Sequence, residues 1–226
     1  APVNVEVVRH NPHLDEIFTF DRRVWRRPPA LWRFIRGIRN FDPDLALVLG
    51  SVSFSVTSAY IGLVSKAPWV VGVDSLPFGS DISRRAFSLE MPCSPELDRH
   101  AVDHSLAPLE AVGISTTDRT TVVVPAPEEE TEAGLILSGL GVAPGFWAVH
   151  PGAGKRQNVW PADRFGAIVG RAVRAGKQVL VLHGPADGPA VEALKSHLAS
   201  LPPDSARFAP PCPVGVGAAL LGRADR

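Results

Sequence analysis

The chain has 226 residues, 45% hydrophobic and 20% charged, with 23 basic and 23 acidic side chains and no formal net charge. That length and balance describe one large or two modest folded domains with a sizeable core, not a disordered chain. They exclude the whole-chain cationic field that recruits nucleic acid, and no apolar run reaches the roughly 18–20 residues that span a bilayer.

In chain order, "VNVEVV" (residues 3–8) is predicted as a strand broken by Asn11-Pro12, and "EIFTF" (16–20) as a second strand. Pro28-Pro29 opens a helix whose apolar positions Leu31, Phe34, Ile35 and Ile38 follow the i, i+3, i+4, i+7 rule. "DLALVLG" (44–50) and "WVVGV" (69–73) are short buried-strand runs flanking a small-residue helix over 53–66. Residues 74–97 carry no periodicity and are expected to be irregular, whereas 98–111 is helical and ends before Gly113.

A seam follows at "TVVVPAPEEETEAG", predicted as a strand passing through Pro125 and Pro127 into a helix with Glu128–Glu130 in its first turn, where the helix dipole favours negative charge. Beyond it the pattern predicts a strand at 146–150, a helix at 161–175, a strand at 178–183 and helices at 187–199 and 214–221. Strands alternating with helices imply an α/β fold with parallel sheets, divided near Pro125. The N-terminus begins without Met on a strand-like stretch, with no signal-peptide order, and "GVGAALLGRADR" stops in a helical pattern without a cap. Both ends are therefore expected to be cuts through a longer protein. The two cysteines, Cys93 and Cys212, form no C-x-x-C pair and are expected to be free thiols in a reducing compartment.

The stretch "HPGAGKRQNVWP" (His150 to Pro161) leaves a predicted strand and enters a helix. As a triphosphate-binding loop it lacks the first glycine, since Val149 stands there, and Arg156 replaces the Ser or Thr that holds magnesium. As a dinucleotide fingerprint it lacks the third glycine, because Gln157 stands there. More general physics remains: backbone N–H groups at Gly152, Ala153 and Gly154 permit close approach of an anion, and Lys155 and Arg156 add positive charge. A solvated cationic turn is the alternative.

"HPGAGKRQNVWPADRFGAIVGRAVRAGKQVLVLHGPAD" resembles the donor-domain motif of glycosyltransferase family nine, the heptosyltransferases of lipopolysaccharide core synthesis. The shared order is a strand ending in His-Pro-Gly, a small-residue basic loop, Trp-Pro opening a helix with an aromatic residue following, and a strand ending in Gly-x-x-Asp. "NPHLDEIFTFD", "FDPDLALVLGS", "HAVDHSLAPLEAVGI" and "AALLGRAD" resemble further segments of the family, so the likeness spans nearly the whole chain.

The resemblance implies a GT-B architecture of two Rossmann-like domains, each incomplete at the chain terminus. Residues 1–125 would form the acceptor-side domain and 126–226 the nucleotide-sugar donor domain. It also implies donor contacts from His150, Gly152, Ala153, Gly154, Lys155, Arg156, Asn158 and Asp187. Asn158 occupies the place of the family's phosphate-binding lysine, with Lys155 and Arg156 three and two residues earlier. Asp187 matches the acidic position on the ribose or adenine side of the donor, and a helix N-cap is the alternative.

The family's catalytic aspartate loop would precede Ala1, and its Asp-Thr-Gly-x-x-His loop would follow Arg226, so the catalytic base is unassigned. The implied reaction is inverting transfer of a heptose or similar sugar from a nucleotide diphosphate, ADP-linked by resemblance, to a lipopolysaccharide-core or related saccharide hydroxyl. No metal and no cofactor are expected. A catalytically incomplete nucleotide-binding module and a sugar-nucleotide epimerase of the same fold are the alternatives. The implied location is cytoplasmic, with peripheral contact at the inner face of the inner membrane.

Two other constellations stand out. His100 and His104 lie four apart on a predicted helix, a spacing that can bind zinc, but no third ligand is evident and a structural role is the simpler expectation. Seven arginines between Arg22 and Arg39, interleaved with Trp25, Trp32 and Phe34, have the composition of an interfacial amphipathic helix. A helix packed on its sheet with solvated arginines is the alternative.

Overall fold

The computed structural model describes residues 4–50, 53–93, 98–199, 201–202 and 205–225, and the fold is mixed α/β with parallel sheets. Helix α1 (Val5–Val8) stands where a strand was predicted. Strand preference in a valine-rich run is a preference for a pleated, partnered surface, and this segment instead packs against a helix of the second of two units. That second unit comprises residues 4–15 and 122–225, and the first comprises 16–121.

In the first unit, the predicted strand at 16–20 has no regular structure, and the chain passes through a 3-10 turn, Arg22–Arg26, into α2 (Pro28–Phe41). Strand β1 (Leu45–Leu47), helix α3 (Val56–Ser65) and strand β2 (Trp69–Val73) follow as the periodicity predicts. The stretch 74–93 is more ordered than expected, with a 3-10 turn at Leu76–Phe78, α4 (Ser83–Ala86) and β3 (Leu89–Met91). The strands pair in parallel in the order β1-β2-β3, and α5 (Ala101–Glu110) comes next.

Two buried serines organise the loop after β2. The Ser75 N–H donates to Ser83 Oγ at 2.9 Å, and the Ser83 N–H donates to Ser75 Oγ at 3.0 Å. Their hydroxyls lie 2.8 Å apart, and Ser75 Oγ also donates to the Ser80 carbonyl at 2.8 Å. Each hydroxyl thus satisfies a buried backbone donor that no strand or helix reaches.

At the seam between the units, residues 118–126 form no strand. Extended valines alone make no sheet when no partner strand lies beside them. Helix α6 (Pro127–Leu140) begins with the Glu129 carboxylate accepting from the Ala126 N–H at 2.7 Å. Strand β4 (Trp147–Val149), helix α7 (Ala162–Arg174), strand β5 (Val179–Val181) and helix α8 (Gly188–Leu198) follow. An unpredicted strand, β6 (Ala206–Phe208), precedes α9 (Val214–Leu221). The chain does not remain helical after α9: Ala224 makes a parallel bridge to Phe146, and the Asp225 N–H donates to the Phe146 carbonyl at 2.8 Å.

Strand β5 is the centre of this unit. Val179 and Val181 face one core with Val169, Ala172, Leu194 and Leu198 of α7 and α8. Leu180 and Leu182 face the other with Leu137 of α6 and Val216 and Leu220 of α9. Side chains alternate across a strand, so a continuously apolar strand needs cover on both faces, and the two helix pairs supply it. The strands run in parallel in the order β4-β5-β6, and the Ala224 bridge lies on β4. The chain thus returns across the sheet at β4, where open α/β sheets form a ligand crevice.

Ser75→Ala and Ser83→Ala are each expected to destabilise the first unit by about 1–3 kcal/mol, because each strands a buried backbone donor. The double variant should cost less than the sum of the two. Urea denaturation followed by circular dichroism measures this cycle, and strict additivity would show the hydroxyl pair to be unimportant.

Candidate functional site

Strands β4 and β5 end side by side, and the chain leaving each encloses a cavity of about 770 Å³. From β4 it runs through His150 and buried Pro151 to Gly152–Gly154, a 3-10 turn at Arg156–Asn158, and Trp160-Pro161 at the start of α7. From β5 it passes Gly184 and reaches Asp187 at the N-cap position of α8. Neither α7 nor α8 has its first amides capped by a side chain, so N–H groups at both helix starts are available beside the cavity.

Asp187 joins the two loops. Its side chain is 12% exposed, and Oδ2 accepts from the Gly184 N–H at 2.6 Å. The carboxylate packs so closely on Gly152 that a Cβ at residue 152 would coincide with Oδ1. His150 backs this contact, with Nε2 3.3 Å from Asp187 Oδ2 and Nδ1 3.2 Å from the Gly152 carbonyl. Although Asp187 holds the N-cap position of α8, its side chain makes no capping bond into the helix and turns back to the loop. Gly152 therefore leaves room for a carboxylate of the protein itself.

The sequence-derived site residues separate into two groups. Gly152, Ala153, Gly154, Arg156 and Asp187 line the cavity, and His150 supports Asp187. Lys155 and Asn158 are exposed and lie outside the wall, so Arg156 is the cation that reaches it.

Sequence reasoning missed the apolar surface. Trp160 and Phe165 meet edge to face at 5.0 Å on one side, and Ala186, Pro189, Ala190 and Ala193 line the other. The small residues at 186, 189, 190 and 193 follow helical spacing, and that spacing was the available signal of an empty groove on α8.

The other constellations lie in the first unit. His100 is the N-cap of α5, and its Nδ1 accepts from the Val102 N–H at 3.2 Å, while His104 is buried in the helix. Asp103, between them, pairs with Arg119, whose guanidinium holds the carboxyl below its ordinary value. Among the described residues no three His, Cys, Asp or Glu side chains gather as a metal cluster. Burial, followed by the charge of Glu132, pushes the Cys212 thiol up. No helix among the described residues is long and apolar enough to cross a membrane.

Parallel α/β units, with a ligand-sized crevice at the carboxyl ends of β4 and β5, define the class as a GT-B-like fold. No protein-family model and no curated protein matches the sequence. Solved structures do match. A family 9 glycosyl transferase from Veillonella parvula superposes with TM-score 0.74 over 99% of this chain at 20% identity. Escherichia coli heptosyltransferase WaaC, solved with ADP-2-deoxy-2-fluoro heptose, gives 0.62 over 99% of this chain at 14% identity and is itself 75% covered. E. coli ADP-heptose lps heptosyltransferase II gives 0.58 over 85% at 14% identity. The chain spans 63% of the Veillonella protein and 58% of heptosyltransferase II. Solved structures of the family that the sequence motifs resemble thus share this fold.

Gly152→Ala is expected to expel Asp187 from its seat and to cost about 1–3 kcal/mol, as overpacking does. Gly154→Ala, which meets open space, should stay within about 0.5 kcal/mol of the parent. Urea denaturation of the two variants separates a specific close contact from a generally glycine-dependent loop.

Proposed function

We propose that the chain contributes the donor side of an inverting glycosyltransferase that moves a heptose or similar sugar from a nucleotide diphosphate to a lipopolysaccharide-core or related saccharide hydroxyl. The observation that carries this reading is the arrangement of charge around one cavity: Arg156 and the glycine loop on one side, Asp187 behind Gly152. A diphosphate is repelled by the Asp187 carboxylate and attracted by Arg156 and the backbone N–H groups at the start of α7. It would therefore lie along residues 153–156. Asp187 accepts from one backbone donor and retains acceptor capacity for a hydroxyl, which suits a ribose or sugar ring rather than a phosphate. The apolar surface of Trp160, Pro189 and Ala190 offers cover for the uncharged part of the donor.

WaaC has been solved with ADP and with an ADP-heptose analogue, which supports an ADP-linked donor in this fold. As the glycosidic bond to the diphosphate breaks, negative charge grows on the leaving oxygen. Preorganised amides and Arg156 would stabilise that charge more than the ground state, and this differential lowers the barrier. The acceptor hydroxyl needs a base, and this reading assigns no described residue to that role.

Millimolar ADP is expected to raise the melting temperature of the protein by mass action. Arg156→Ala should weaken ADP affinity about tenfold or more, the loss of a hydrogen bond to a charged group. Lys155→Ala should change it less than threefold, roughly the effect of a distant screened charge. Isothermal titration gives these affinities, and the absence of any ADP effect on melting or heat would overturn the donor-site reading.

A further inference from the structure

Past the glycine loop and Arg156, the cavity is lined by Trp160, Phe165, Pro189, Ala190 and Ala193. Trp160 is 39% exposed, and Phe165 meets it edge to face at 5.0 Å, with the ring planes at 84°. The indole is thus braced by protein on one side and keeps part of its surface open. Among the described residues that line the cavity, Arg156 and Asp187 carry the only charged side chains, and none carries a hydroxyl, amide or imidazole group. Telling one nucleobase from another takes directed hydrogen bonds to its edge. An arginine can fork onto guanine, an amide side chain can pair with adenine, and a carboxylate can accept from an exocyclic amine.

Both side chains able to read an edge here are engaged elsewhere. Asp187 Oδ2 accepts from the Gly184 N–H at 2.6 Å and lies 3.3 Å from His150 Nε2. Its Oδ1 is pressed on Gly152, where a Cβ would coincide with it. The acceptor capacity that remains suits a single hydroxyl and not a two-point grip on a base. Arg156 opens the 3-10 turn that follows the glycine loop, where a diphosphate draws its guanidinium. What is left for the base is apolar contact, and such contact is tolerant. Every base has a π-face to lay on an aromatic ring. A site that hydrogen-bonds the polar groups of its ligand rejects the wrong one by about ten-thousandfold, whereas an apolar wall reaches only about a hundredfold.

We propose that the donor site holds its nucleobase by apolar contact around Trp160 without reading the base edge, so that its ligand class is a nucleoside diphosphate of any of the four common bases. This tolerance rests on the donor-site reading, which it widens from ADP-linked donors to nucleoside diphosphates as a class.

The test is isothermal titration of the protein with ADP, GDP, UDP and CDP. ADP and GDP, whose rings are alike in area and different at the edge, should bind within about tenfold of each other, and so should UDP and CDP. The pyrimidine pair should fall below the purine pair only by the smaller ring it buries. Trp160→Ala should weaken all four by a common factor of about tenfold. It should leave the affinity for inorganic pyrophosphate, which has no base, within about threefold, and Trp160→Phe should keep most of the nucleotide affinity. The comparison of the four nucleotides uses the unaltered protein and does not depend on a variant folding. A preference above about tenfold within either pair would overturn the proposal, as would a Trp160→Ala loss confined to one base, and ADP binding would then leave the donor-site reading standing. Failure of every nucleoside diphosphate to bind would overturn both.

Discussion

The Asp187 carboxylate occupies the space that any side chain at position 152 would need, and this contact joins the loop after β4 to the loop after β5. Strands β4 and β5 run in parallel register from Trp147↔Val179 to Val149↔Val181, so their carboxyl ends are level and the departing loops meet. One loop brings glycines and a cation, and the other brings a carboxylate that accepts from its own backbone at Gly184. Without the glycine, the two loops must separate or Asp187 must leave a partly buried seat for water. The cavity wall is thus set by a steric condition thirty-five residues long in sequence and one atom deep in space.

Behind that contact stands β5. Its residues and Leu182, which follows them, alternate between two helix-covered cores, with Val179 and Val181 on one and Leu180 and Leu182 on the other. A strand buried on both faces cannot slip by one residue without exchanging valine-facing and leucine-facing packing, so its register is well determined. The positions of Gly184 and Asp187, only a few residues beyond its end, inherit that precision. The first unit solves its corresponding loop differently, with the reciprocal Ser75 and Ser83 hydroxyls satisfying backbone groups that a glycine-rich turn would leave to water or ligand. The loop after β2 is therefore closed upon itself, whereas the loop after β4 keeps its polar groups turned toward an open volume.

Much of this was legible in the residues. The periodicity of α2 and α7 and the apolar runs of β2 and β5 placed those elements nearly where they lie, because long amphipathic helices and doubly buried strands leave strong patterns. Valine-rich stretches at 3–8 and 121–124 misled, since β-branched residues record a fitness for sheets that only a neighbouring strand can realise. Strand β6 was hidden for the opposite reason. Its three residues, Ala206–Phe208, sit between proline pairs that read as turns. In the site, glycine at 152 pointed to close approach, but its partner could not be read from spacing, because it depends on two loops meeting across parallel strands. Which of the adjacent cations Lys155 and Arg156 lines the cavity was likewise a matter of local backbone geometry at the 3-10 turn.

Charge places a further condition on any ligand of the cavity. Arg156 and the uncapped starts of α7 and α8 favour an anion, while Asp187 disfavours one at close range. A uniformly anionic molecule would gain at one end and lose at the other, and a uniformly neutral one would leave Arg156 solvated and unused. The arrangement suits a molecule whose charge is concentrated at one part and whose hydroxyls lie at another. The sugar-nucleotide donor proposed above has that distribution, with its diphosphate between two hydroxyl-bearing rings. The fixed contact of Asp187 with Gly152 matters here because a mobile carboxylate could swing aside and accept either polarity. Held by Gly184 and flanked by His150, it cannot move without breaking those contacts, and the wall keeps its sense of direction.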